Sequence, residues 1–322
     1  MTHTSSVSTP ATRLVRPLWR RMLPEPVRSM GRPLVHVWQG LRGKWQDRAA
    51  RRADAVQRRA LLDAATPIIQ DVYGYRFVLY DYDLPRLWLL ARHPQDAAEF
   101  RAIPRLVRPG DVAFDVGANI GVYSVLLSGI CGQSGRIWAF EPVPETCWRL
   151  RETLALNRCA NVLPIQAAVC ESDGIATMNL FDPGHCVWNS LGRPEMGPDG
   201  SKVLPHGSIE VPSLSLDSFC DREGIDRINF LKVDVEGFEI SVFRGAERLL
   251  REHLVDYICF EISQQPLKGA GFRSRQVFAE LERWGYGVYE LDKHSAAFTG
   301  PVRDTNEDFT NLFASAKDMT AL

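Results

Sequence analysis

Two acidic residues, Asp115 and Glu141, stand at the ends of two short apolar runs, Val112–Val116 and Arg136–Phe140, 26 positions apart. Asp115 leads straight into a glycine-spaced loop, Gly117-Ala118-Asn119-Ile120-Gly121, and a helix-like run at 122–127 follows. Glycines at such a turn let the backbone reverse and approach closely, and a helix start presents N–H groups to an anion. An acid beside that loop suits a small ligand carrying both an ammonium and a carboxylate, as S-adenosylmethionine does. Glu141, at the tip of the second run, can accept two ribose hydroxyls, as acids at that position do in dinucleotide folds. The plainer alternatives are a turn merely shaped by its glycines and a Glu141 that caps a helix or faces solvent.

Gly117-x-x-x-Gly121 is not the G-x-G-x-x-G of dinucleotide binding, and no Gly-Lys-Ser/Thr follows to make a phosphate loop. A third apolar stretch, 161–169, is expected to form one strand whose small residues leave room for an adenine ring, with Glu171 or Asp173 as a polar neighbour. A fourth, 228–237, places Lys232, Asp234 and Glu236 at alternate positions, on one side if the chain is extended. Ligands of open sheets sit outside the carboxyl ends of the strands, and charges buried in mid-strand would be costly. The spacing suits a base, a metal ligand or an acceptor of a substrate hydroxyl; the structural alternative is a salt bridge between Lys232 and a neighbouring carboxylate.

Taken in order, Asp-Val-Gly-Ala-Asn-Ile-Gly (115–121), Phe-Glu-Pro (140–142), Leu-Asp (216–217), Leu-Lys-Val-Asp-Val-Glu-Gly (231–237) and Phe-Glu-Ile (260–262) resemble the FkbM-type S-adenosylmethionine-dependent methyltransferases. The resemblance covers roughly residues 95–265. It implies a Rossmann-like methyltransferase fold, O-methylation of sugars or glycosylated natural products, and cofactor binding by Asp115, Gly117, Asn119, Gly121 and Glu141. It also sets the Lys-x-Asp-x-Glu-Gly stretch beside the cofactor. Phe238 and Phe243 depart from the smaller or aliphatic residues common there. The expected chemistry is direct displacement, with an acceptor hydroxyl attacking a methyl carbon held about 3–3.5 Å away. Asp234 is the first candidate for base, Glu236 its partner, and Lys232 the third charged member of the group. The sequence demands no metal; a magnesium ion, if one takes part, would fall to Asp234 and Glu236.

The elements that must hold these residues alternate between strand and helix, which argues for an α/β protein with a mostly parallel sheet. Helices are expected at 96–106, 145–157, 238–253 and 274–284, and late strands at 255–262, 286–291 and 309–314. Residues 63–110 read as a lead-in containing a strand or hairpin arm at 72–80, and 111–322 as the methyltransferase domain. The long connection 173–227 reads as a β-rich insertion on the acceptor side, with strand-like runs at 175–181 and 208–214. Its loop holds His185, Trp188, Asn189, Ser190, Arg193 and His206, which suit stacking on a sugar and hydrogen bonding to it.

Residues 1–62 form a distinct basic extension. The first 60 carry 13 Arg and Lys against Glu25, Asp47 and Asp54, although the whole chain has a net charge of −1. From Leu34 to Ala60 apolar residues recur every three or four positions, which predicts an amphipathic helix with an Arg-rich face. Such a helix could contact an anionic membrane surface peripherally or dock on an acidic protein surface. Nucleic acid is not an expected partner, because the basic residues lack interleaved aromatics and a recognition motif. No apolar run reaches the length of a membrane span, and seven scattered cysteines without C-x-x-C fit a reducing, cytoplasmic setting rather than a disulfide frame or zinc site. Oligomeric state is not written in these features. Two other functions share parts of the pattern: a nicotinamide oxidoreductase, disfavoured by the missing glycine fingerprint, and a catalytically silent partner protein that keeps cofactor binding.

Overall fold

The computed structural model describes residues 68–72, 74–79, 94–181, 189–192, 205 and 207–322. The expected N-terminal helix, and His185, Trp188, Arg193 and His206 of the insertion, lie outside the described residues. Within them the chain begins with a hairpin, β1 (Ile68–Val72) and β2 (Tyr75–Leu79), paired antiparallel. Helix α1 (Pro94–Leu106) then buries Ala98, Ala102, Ile103 and Leu106, a spacing that sets one stripe against the sheet. The core alternates β3 (Val112–Val116), α2 (Val122–Cys131), β4 (Arg136–Phe140), α3 (Pro144–Leu156) and β5 (Val162–Ile165).

A second block follows. The short β6 (Ala168–Val169) joins β7 (Gly174–Leu180) and β8 (Gly207–Leu214) in a separate three-stranded sheet, in the order β6-β8-β7. Helix α4 (Leu216–Glu223) leads to β9 (Ile228–Val233), α5 (Glu239–Arg244), α6 (Glu247–Arg251) and β10 (Val255–Ser263). The chain closes with α7 (Gln264–Gly269), α8 (Ser274–Arg283), β11 (Gly287–Leu291), β12 (Phe298–Val302) and β13 (Phe309–Ser315).

The main sheet has eight strands in the order β12-β11-β13-β10-β9-β3-β4-β5. Strands β10, β9, β3, β4 and β5 run parallel, and β13 is antiparallel to both β10 and β11. From β3 the chain winds outward to β5, then returns to place β9 on the other side of β3. The strand order therefore reverses between β3 and β9, and a ligand crevice opens at the carboxyl ends there. This is the Rossmann-like α/β architecture that the resemblance implies, with the β-rich insertion forming most of a second small sheet.

Side-chain alternation divides the strands between two apolar layers. Phe114, Val116, Leu231 and Val233 face one layer, while Ala113 and Phe230 face the other. Phe219 of α4 packs edge-on against Phe114, Trp138 and Phe140, with ring centroids 5.0–6.4 Å apart. That aromatic group fixes β3 and β4 side by side beneath the crevice.

Two expectations need correction. The stretch 161–169 is two strands in two sheets, β5 and β6, split where Gln166 and Ala167 leave the main sheet. The helix expected over 238–253 is two helices. Asp217 accepts Arg248 N at 2.7 Å and Leu249 N at 3.1 Å, so a new helix start is anchored just after Gly245 and Ala246. Strand β12, between β11 and β13, had no expectation at all. Asp173 accepts Ser215 N at 2.8 Å and pairs with Arg222, which ties the insertion to α4.

Candidate active site

Asp115 and Lys232 are register partners on β3 and β9, and Lys232 is the register partner of Cys259 on β10. All three therefore lie on one face, the face covered by α1 and α2. Asp115 is 1% exposed and accepts a 2.6 Å hydrogen bond from Ser124 Oγ in the first turn of α2. Burial pushes its carboxyl up to about 6, against the bond from Ser124 and the Lys232 charge. Asp115 thus lies under the glycine loop and holds the start of α2 to the sheet, rather than standing at an open strand tip.

The loop above it is tightly interlocked. Gly117 N and Ala118 N both donate to Phe140 O, at 3.0 and 2.9 Å, and Gly121 N donates to Ala118 O at 2.8 Å. Asp234 N donates to Val116 O at 2.9 Å, so the β9 exit is bonded to the end of β3. Gly117 has φ +80, and a Cβ there would meet the Asp234 carbonyl oxygen at 1.8 Å; only glycine lets these two strand ends approach. Gly121, with φ +95, would meet Leu150 of α3 at 2.7 Å. The N–H groups of residues 117–121 are spent inside the protein, so an anion at the helix start must find donors further along.

Glu141 sits at the end of β4, 6% exposed. Its carboxylate accepts Asn119 N at 3.1 Å and Val143 N at 2.9 Å, one on each oxygen. Each oxygen keeps a lone pair for a second donor. Burial raises this carboxyl to about 7, even with the two backbone N–H bonds pulling the other way. Asn119, at φ 50, turns its own amide oxygen onto Ile120 N at 2.8 Å.

Lys232 is fully buried. Its ammonium donates to Asn311 Oδ1 at 2.9 Å, lies 3.6 Å from Asp234 Oδ2, and sits 4.8 Å from the centre of the Tyr123 ring. Burial alone would lower its pKa, but Asp234 and further acidic neighbours, Glu99 and Glu261 among them, raise it by more. Lys232 therefore stays protonated and holds Asp234, the ion pair that was the structural alternative in the sequence. The period-two reading stops at this residue. Strand β9 ends at Val233, and Asp234 and Glu236 follow in a loop where Glu236 has φ 50. The loop still brings them together: oxygens of Asp234, Glu236 and Glu261 lie within 4.8 Å of one another. The Asp234 side chain is 29% exposed, so it can meet a ligand from the crevice.

Two participants, Glu99 and Glu239, carried no sequence expectation of a site role. Glu99 of α1, fully buried, accepts from the Tyr123 hydroxyl behind Lys232, and burial raises its carboxyl. Glu261, quoted in the sequence only within Phe-Glu-Ile, lies inside β10, two residues before its end. Glu239, 1% exposed, accepts Gly237 N at 3.2 Å while its Oε2 has no hydrogen-bond partner; burial raises it to about 7. In the insertion, Asn189 Oδ1 accepts Phe181 N at 2.8 Å and Ser190 bridges Asn179. The neighbouring Gly192 lies against Phe238 and Ala270, which brings this return segment close to the loop after β9.

This arrangement fits a cationic nucleoside ligand. Two buried carboxyls flank the glycine loop, and the lysine beside them is already paired with Asp234. Comparison with known proteins agrees. Residues 115–288 match the family model described as the methyltransferase FkbM domain, so the chain belongs to the FkbM methyltransferase family. It is a methyltransferase that uses S-adenosylmethionine as methyl donor. Among curated relatives, the hexuronic acid methyltransferase AglP of Haloferax volcanii is 27% identical over 61% of this chain and 74% of its own length. The 31-O-demethyl-FK506 methyltransferase FkbM of Streptomyces tacrolimicus is 32% identical over 44% of this chain and 61% of its own. Among solved structures, Aeropyrum pernix fibrillarin with bound S-adenosylmethionine is similar at 18% identity, covering 76% of this chain and 84% of that one, with a TM-score of 0.38. That likeness is too loose to align individual residues. No helix of the described residues is long and apolar enough to cross a membrane.

Proposed function

We propose that the protein methylates a hydroxyl of a saccharide or a glycosylated metabolite, with Asp234 as the group that takes the hydroxyl proton. The observation that carries this reading is Asp234 itself: a partly exposed carboxylate at the crevice, held by the buried Lys232. The name of the first relative, a hexuronic acid methyltransferase, supports a sugar acceptor, and that of the second, with its 31-O position, supports oxygen as the atom methylated.

Bound S-adenosylmethionine supplies a methyl on a sulfonium, whose carbon–sulfur bond breaks with both electrons to sulfur as the acceptor oxygen bonds the carbon. Glu141 would take the ribose hydroxyls on its remaining lone pairs, and Asp115 would add negative potential beneath the loop. Gly117, Asn119 and Gly121 shape the wall around that ligand. Asp234 accepts the proton that the acceptor oxygen loses, while Lys232 keeps its carboxylate oriented. A positioned base of this kind contributes roughly a hundred- to ten-thousandfold. Asn189 and Ser190, in the segment whose Gly192 lies against Phe238, would line the acceptor side.

The test is incubation of the protein with radiolabelled S-adenosylmethionine and a panel of hexuronic acids, neutral glycosides and non-sugar alcohols. Label transferred to the sugar members supports the reading. Label transferred only to non-sugar alcohols, or to amines, would displace it.

A further inference from the structure

The loop after β9 and the end of β10 hold more anionic oxygen than methyl transfer requires. Asp234, Glu236 and Glu261 converge within 4.8 Å. Glu261 is 6% exposed, and among the described residues it has neither a hydrogen bond nor an ion pair; burial, then Asp234 and Glu236, push its carboxyl well above the ordinary range. Two positions further along β10, on the same face by strand alternation, the Ser263 hydroxyl is 2% exposed and also has no hydrogen-bond partner. A buried polar atom left unmatched is costly, and the Ser263 hydroxyl, on the strand face that carries Glu261 of the carboxylate cluster, points to a missing ligand. The Lys232 ammonium does not supply it, because it is spent on Asp234 and Asn311.

We propose that Asp234, Glu236 and Glu261 form a divalent-cation site of the magnesium or manganese type, with Ser263 completing the oxygen surroundings. Oxygen-only donors select hard cations over zinc or copper. Three protein carboxylates leave coordination positions open toward the crevice, where vicinal hydroxyls or a uronate carboxylate of the acceptor would bind. This deepens the sugar-acceptor reading and rests on it for that last step. An acidic acceptor would be repelled by the three carboxylates, whereas a bridging cation reverses the sign of the contact. It would also acidify a bound hydroxyl, with the Asp234 oxygen not engaged by the metal taking the proton.

The experiment titrates manganese alone into chelator-treated full-length protein, without methyl donor or acceptor, and follows the free ion by electron paramagnetic resonance. The expected result is about one saturable ion per chain, displaced by magnesium, with affinity lowered at least about tenfold in Glu261→Gln. S-adenosylmethionine titration of the same variant checks that it is folded. Should Glu261→Gln fail that check, Glu236→Gln and Ser263→Ala are read instead and should each weaken the site. No saturable manganese below about millimolar, or equal affinity in wild type and the folded variants, overturns the site. Because no acceptor is present, a protein that binds manganese but methylates no sugar would refute the acceptor reading and leave the cation site standing.

Discussion

Strands β9 and β10 carry charge at both ends, and the two ends treat it differently. At the amino ends Asp256 receives Arg227 at 3.0 Å, Lys317 at 2.8 Å and Asn229 Nδ2 at 2.9 Å, while Asn229 Oδ1 accepts Val112 N at 3.0 Å. Arg227, Asp256 and Lys317 are paired there, and the Arg227 and Lys317 side chains are 47% and 61% exposed. At the carboxyl ends one buried lysine faces Glu99, Asp115, Asp234 and Glu261, and Glu239 Oε2 and the Ser263 hydroxyl lack hydrogen-bond partners. A cavity of about 540 Å³ opens at the amino end, lined by Arg227, His253, Asp256 and Lys317. Size would make it a binding site, but its charges are already satisfied. Interaction energy for a ligand is available where polar groups are buried and unmatched, at the other end of the same strands.

The largest effect should come from breaking the interlock of β3 and β9. Gly117→Ala places a methyl 1.8 Å from the Asp234 carbonyl at φ +80, and should lower stability by about 3 kcal/mol or more, read from urea unfolding, with loss of cofactor binding. An unchanged midpoint would mean that the two strand ends do not depend on each other. Next, Asp234→Asn keeps the shape but removes the base. Turnover should fall by roughly a hundred- to ten-thousandfold, while cofactor affinity changes less than about threefold. Undiminished turnover would remove Asp234 from the chemistry.

A smaller effect follows from the raised carboxyls. Burial lifts Asp115 from 3.8 to about 6 and Glu141 from 4.5 to about 7. The folded protein thus keeps these protons to higher pH than the unfolded chain, so their contribution to stability is full below the unfolded values and lost as pH rises through 6 to 7. A cationic ligand favours the ionised forms, so cofactor affinity should rise between pH 5.5 and 7.5, measured by calorimetry. A flat profile would take both carboxyls out of contact with the cationic ligand. The smallest effect belongs to the amino end: Arg227→Ala should cost under about 1 kcal/mol and leave cofactor affinity and turnover unchanged. A large loss of either would erase the contrast between the two ends.

The sequence discloses those parts of the site that are local. Asp115, the glycine loop and Glu141 are legible because an acid closing an apolar run beside a turn is a short-range pattern. The burial of Lys232 is not, because Tyr123, Asn311 and Glu99 reach it from α2, β13 and α1, elements far apart in the chain. Glu261, a mid-strand acid in the Phe-Glu-Ile motif, acquires meaning only once strand order puts β10 beside β9. The positive φ of Glu236, which folds it back toward Asp234, leaves no mark in an alternating pattern of charges. Asp217, prominent as a motif, turns out to start α6, a role set by a contact 31 residues away.

The most direct test is calorimetric titration of S-adenosylmethionine into wild type, Glu141→Ala and Arg227→Ala. A site at the carboxyl ends predicts saturable one-to-one binding by the wild type, a loss of about 2–4 kcal/mol in Glu141→Ala as charge-assisted bonds to the ribose disappear, and no change in Arg227→Ala. Equal affinity in all three proteins, or a loss confined to Arg227→Ala, would place the cofactor elsewhere and contradict the account.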